Sequence, residues 1–183
     1  GIIGKLLDAG AQGVIVPMVN SAEEAQAAVD ACCYPPLGAR SWGPSGAAPR
    51  LDNYFTASGD QVATIVMVET VQALNNVDAI VNTPGVDAVY VGPADLSISL
   101  GLPPGNNDDA AEFTEALHAI VAACQNAGVV PGIHSSGSLT PLRLEQGFRM
   151  ITVTADNVAM NVGVQAELAR ARGEGVEGSN SMY

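Results

Sequence analysis

Glu69 and Asp95 each close an apolar run, TIVMVE (64–69) and AVYVGPAD (88–95). A carboxylate there is costly unless it is paired, solvated or bound to a cation. The step from 69 to 95 is about one α/β repeat, so neighbouring strands can deliver both groups to one point. No basic residue is close to either in sequence. An oxygen-seeking divalent cation, Mg²⁺ or Mn²⁺, with water and substrate oxygens completing its octahedron is one consequence. A pair of solvated loop carboxylates is the other. The segment Gly92-Pro93-Ala94-Asp95-Leu96-Ser97 adds backbone N–H groups that open toward the next element and can hold a carboxylate. His134 ends VVPGIH (129–134), where it can serve as acid, base or substrate contact, or simply hydrogen-bond to loop backbone.

These residues need a frame that gathers strand ends. GVIVPMV (13–19), TIVMVE, AVYVGPAD, VVPGIH and MITVT (150–154) are near-continuous apolar runs, as buried parallel strands require. Amphipathic helices are expected at 1–9, from Ser21 to the Tyr34-Pro35-Pro36 stop, at 71–82, 108–127, 140–146 and 157–172. A short helix or loop is expected at 52–60. Ser21 with Glu24 three residues on forms a capping-box pattern. Strands alternating with helices predict a parallel α/β protein, with functional groups at the C-terminal strand ends. No GxGxxG follows the first strand, so a dinucleotide-binding fold loses its main support. The alternative is a (β/α)₈ TIM-barrel type with only about five of its eight strands in this chain. The expected organisation is a partial barrel domain over 1–172 and a disordered tail over 173–183.

The chain has 183 residues, 48% of them hydrophobic, and a formal net charge of −12. Such a surface repels nucleic acid and anionic lipid. No apolar run approaches the roughly 20 residues of a membrane span. Cys32, Cys33 and Cys124 make no disulfide framework and are expected as free thiols of a cytoplasmic protein.

Four segments carry a resemblance: GAQGVIVPMVNSAEEAQAAV (10–29), YPPLGARSWGP (34–44), VMVETVQALNNVDAIVNTPGVDAVYVGPADLS (66–97) and GFRMITVTADNVAMNVG (147–163). Together they resemble the HpcH/HpaI aldolases, the class II pyruvate aldolases, from about residue 1 to 172. The resemblance implies a (β/α)₈ barrel acting on small 2-oxo acids. It also implies a homo-oligomer, a hexamer built from dimers that exchange their last helix. By position, Glu69 and Asp95 resemble the protein ligands of the family's Mg²⁺, Mn²⁺ or Co²⁺. The backbone of Ala94 and Asp95 resembles the site for the pyruvate carboxylate, and Pro17 a residue lining the pocket. Arg40, with Ser41 and Trp42, falls in a loop the family places near substrate or a subunit contact. Arg40 is thus expected either to pair with a distal acid group or to make a structural salt bridge. The implied reaction is cleavage of 4-hydroxy-2-oxo acids to pyruvate and an aldehyde through a metal-stabilised enolate.

Lys5, the sole lysine, lies in the opening helix rather than at a strand end, which argues against Schiff-base chemistry within this chain. The family's catalytic His and the Arg that holds the oxo oxygen belong to earlier strands, which the sequence does not contain. The expectation is a truncated record of a longer enzyme, with a catalytically incomplete, oligomer-forming fragment as the alternative. A citrate-lyase β-like acyl-CoA lyase is a further alternative, though it would be expected to carry more basic residues for the CoA phosphates.

Overall fold

In the computed structural model, which describes residues 1–50 and 52–174, five parallel strands lie side by side in chain order. They are β1 (Gly13–Val16), β2 (Ala63–Met67), β3 (Ala88–Val91), β4 (Val130–Ile133) and β5 (Met150–Ile151). A doubly wound sheet reverses its order at a switch point. Here every crossover steps the same way, which builds the arc of a barrel. The architecture is therefore the expected TIM-barrel type, with five strands present.

Helices α1 (Ile2–Asp8), α2 (Ala22–Cys32) and α3 (Tyr54–Gln61) accompany the first two strands. Next come α4 (Val71–Asn75), α5 (Val77–Val81), α6 (Pro93–Ser99) and α7 (Ala111–Ala127). The last two are α8 (Thr140–Glu145) and α9 (Asp156–Ala171). The capping pattern of α2 is realised: Ser21 Oγ accepts from Glu24 N–H at 3.3 Å, and Glu24 Oε2 accepts from Asn20 N–H at 2.6 Å.

Side chains alternate across the sheet. Val66, Val68, Val89, Val91 and Ile133 point outward and join one core with Val29, Ile80, Phe113, Leu117, Ile120 and Cys124. The α7 members recur at helical spacing, forming the stripe that packs on the sheet. Each large side chain so buried contributes about 1.5–3 kcal/mol. The other face is only partly covered, with Ile15 45% and Val130 43% exposed but Ala88 5% and Tyr90 6%. A closed barrel packs that face as its interior; among the described residues, each edge strand, β1 and β5, has one unpaired side.

Three expectations need correction. The 88–95 run, expected as a strand running into a loop, is a strand to Val91 that then enters α6 rather than a loop; Pro93 sits in the first turn of α6, where its fixed φ suits a helix start. The single helix at 71–82 is two, broken at Asn76, whose side-chain Nδ2 donates to Asn20 O at 2.8 Å. The runs 13–19, 64–69 and 150–154 are also longer than the strands they contain, because their last residues turn into the mouth of the arc. The expected tail lies, from 175 onward, outside the described residues. Among the described residues, no helix is long and apolar enough to cross a membrane.

Candidate functional site

Glu69 stands just past the end of β2, on the inner face, and is only 2% exposed. Its Oε1 accepts the Met18 backbone N–H at 2.8 Å. Met18 adopts φ 58°, the left-handed region that costs a non-glycine residue about 1–3 kcal/mol. A polar strap holds it there. Asn20 Nδ2 donates to Met18 O at 2.7 Å, the Thr70 hydroxyl donates to Asn20 Oδ1, and Asn76 Nδ2 holds Asn20 O. Thr70 also caps α4 by accepting Ala73 N–H at 2.9 Å. The turn after β1 is thus built to aim one N–H at one carboxylate oxygen.

The second carboxylate oxygen, Oε2, lies over Gly92, where any Cβ would collide with it. Gly92 precedes α6, whose first turn carries the exposed Asp95. In that turn the N–H groups of Ala94 and Asp95 have no intrahelical acceptor. Burial pushes the Glu69 carboxyl above its ordinary value; the Met18 N–H pulls it back, and the charge of Asp95 pushes it up again. Among the described residues, no Lys, Arg or His pairs with Glu69. A buried carboxylate with one oxygen free, a second carboxylate in its field and no cation partner fits a hard divalent metal. Asp95 reaches the site from a helix turn rather than from a strand end, a correction to the expected placement.

On the far side of Gly92, β4 pairs in register with β3, Val91 beside Ile133. His134 continues that pairing, its N–H donating to Val91 O at 3.0 Å. Its exposed imidazole contacts the Tyr90 hydroxyl through Nδ1 at 3.3 Å, and Tyr90 also bonds to the Thr152 hydroxyl. Neither Tyr90 nor Thr152 stands out in the sequence, since each is the polar member of an apolar run. Pro17 is exposed beside Met18 at the same mouth. Arg40 is elsewhere: its guanidinium is fully covered, bonds Asp8 at 2.8 Å and Tyr54 Oη at 3.1 Å, and lies 4.6 Å from the Tyr34 ring centre. Of the two roles expected for Arg40, that geometry is the structural ion pair's. Met18 lies at a strand end and Gly92 in the GPAD segment, but their contacts with Glu69 were not legible, because one acts through a backbone N–H and the other through a missing side chain.

Fold and site together define a barrel-type parallel α/β protein with a buried carboxylate at the C-terminal mouth of its sheet and a second, exposed one on the first turn of the helix that follows the next strand. The chain belongs to the HpcH/HpaI aldolase/citrate lyase family, whose pattern matches residues 1–162. It is 37% identical over 172 residues to a hydroxypyruvate/pyruvate aldolase of Rhizorhabdus wittichii, covering 93% of this chain and 68% of that protein. It is 38% identical over 173 residues to a 4-hydroxy-2-oxo-heptane-1,7-dioate aldolase of Klebsiella pneumoniae, covering 92% and 64%. A crystal structure of a family member from Burkholderia cenocepacia superposes with a TM-score of 0.82 at 31% identity, over 93% of this chain and 68% of the other. The chain therefore spans about two thirds of the length of the relatives it matches.

Proposed function

We propose that this chain forms the metal-holding portion of a class II lyase that cleaves 4-hydroxy-2-oxo acids into pyruvate and an aldehyde. Glu69 and Asp95 hold the divalent ion, Mg²⁺ or Mn²⁺, and Co²⁺ also suits an all-oxygen donor set. When bound, the metal supplies positive charge where negative charge develops on the substrate's 2-oxo group as the C3–C4 bond breaks. The first-turn N–H groups of Ala94 and Asp95 receive the substrate carboxylate. Met18 N–H orients Glu69, Gly92 makes room for its second oxygen, and Pro17 shapes the rim. The observation that carries this function is Glu69: buried, one oxygen held by Met18, the other free over Gly92, with no cation partner among the described residues.

Arg40 and Arg143 are both covered and paired, with Asp8 and Asp108. That leaves the acyl-CoA lyase alternative short of cations for its phosphates. The partners we propose are a small 2-oxo acid and further copies of the same chain, assembled as a hexamer built from dimers that exchange α9. Three free thiols suit a reducing cytoplasm.

The test is pyruvate release from 4-hydroxy-2-oxo acids by the intact natural protein. Release should stop with EDTA and return with Mg²⁺ or Mn²⁺. Glu69→Gln should lower it at least about 100-fold, in line with loss of a ligand to the catalytic ion, while circular dichroism shows an unchanged fold. EDTA-insensitive release, or full activity in Glu69→Gln, would overturn the proposal.

A further inference from the structure

His134 is not needed to hold the metal, yet it sits in the same inward layer as Glu69. Glu69, Gly92 and His134 belong to three adjacent strand ends, β2, β3 and β4. With strand spacings of about 4.8 Å, the backbones carrying Glu69 and His134 stand roughly 10 Å apart. Between them lies Gly92, over which Glu69 Oε2 rests beside Met67, so no β3 side chain separates the carboxylate from the imidazole strand. The imidazole is also held. Tyr90 lies against Gly132, where an added Cβ would come within 3.0 Å of the Tyr90 ring. From there its hydroxyl meets His134 Nδ1 and Thr152 Oγ1 together.

The polarity of that chain follows from acidity. A phenol is a better donor than an aliphatic hydroxyl, and an imidazole nitrogen is the better acceptor of the two neighbours. On that ordering we assign Tyr90 as the donor to His134 Nδ1 and the acceptor from Thr152. The imidazole proton then resides on Nε2, the nitrogen left free on this exposed side chain.

We propose that His134 is a specificity-determining residue: its Nε2–H donates a hydrogen bond to an oxygen on the leaving aldehyde, across Gly92 from the metal-bound end of the substrate. The favoured substrates are then 4-hydroxy-2-oxo acids that carry a hydroxyl on C5, and Tyr90 and Thr152 act as positioning residues. The assignment rests on the aldolase function proposed above. A site that offers a fixed donor discriminates against an analogue lacking the acceptor, because the donor is left unpaired.

The experiment is the reverse reaction, addition of pyruvate to glycolaldehyde or to propanal, near-isosteres that differ in a hydroxyl and a methyl. The readout is the ratio of the two kcat/KM values for the intact natural protein with Mn²⁺. The wild type should prefer glycolaldehyde. His134→Leu should lower that preference about tenfold, near the net value of one hydrogen bond. His134→Gln, which keeps a donor, should retain part of it, and Tyr90→Phe should fall between. An unchanged ratio in His134→Leu overturns the assignment alone. Metal-dependent exchange of the pyruvate methyl protons with D₂O is followed in parallel. Its absence from the wild type would overturn the aldolase function and this assignment together.

Discussion

At the scale of single residues, Gly92 is the position with least freedom. Its hydrogen occupies the only space left beside Glu69 Oε2, so even one methyl group must displace the carboxylate. Gly92→Ala is expected to weaken Mn²⁺ binding by about tenfold or more, the range seen when the groups orienting a metal ligand are altered, with little change in thermal midpoint. Titration of Mn²⁺ by calorimetry measures the first and a thermal melt the second. Equal affinity in Gly92→Ala would mean that Glu69 does not present Oε2 to the ion. The proposal that Glu69 and Asp95 act together was already available from two carboxylates ending apolar runs one repeat apart. The contribution of Met18 was not, because a backbone N–H in a left-handed conformation leaves no mark on residue type.

At the scale of elements, α6 has to be held if Asp95 is to face Glu69, and the segment after it is clamped. Arg143 of α8, fully covered, bonds both carboxylate oxygens of Asp108 at 2.6 and 2.9 Å and Asn106 Oδ1 at 2.7 Å. Ser97, near the end of α6, donates to Gly105 O at 2.8 Å and accepts from Asn107 Nδ2 at 2.8 Å. Removing the acid strands a buried guanidinium, which costs more than the pair itself contributes. Because Asp108 is partly exposed, Asp108→Ala is expected to cost about 2–3 kcal/mol. Urea unfolding followed by circular dichroism would read this as a lower midpoint at constant slope; an unchanged midpoint would show that the clamp is dispensable. Sequence patterning located α7 and α8 to within a few residues. It took α6 for a loop, since a seven-residue helix beginning on Pro93 has too few turns to show a periodicity.

At the scale of the whole molecule, α9 is the element that the rest of the chain does not explain. None of its residues is buried, and Met160, Val164 and Leu168 line one side at four-residue spacing. An apolar stripe of that kind needs a partner, and exchange of α9 between copies is the partner proposed. Val164→Asp is expected to shift the assembly to smaller species in light scattering coupled to size-exclusion chromatography; an unchanged mass would remove α9 from the interface. Residue type and spacing alone determined the parallel α/β class, the placement of five strands and the two acidic positions. These are local consequences of apolar periodicity and of the cost of a carboxylate at the end of a buried run. Only the tertiary structure decided that strand order never reverses, that Gly92 lies between Glu69 and His134 with Glu69 Oε2 resting on it, and that Arg40 pairs with Asp8 away from the mouth. Those outcomes depend on which strand lies beside which and which side chain meets which across the chain, and no local pattern encodes them.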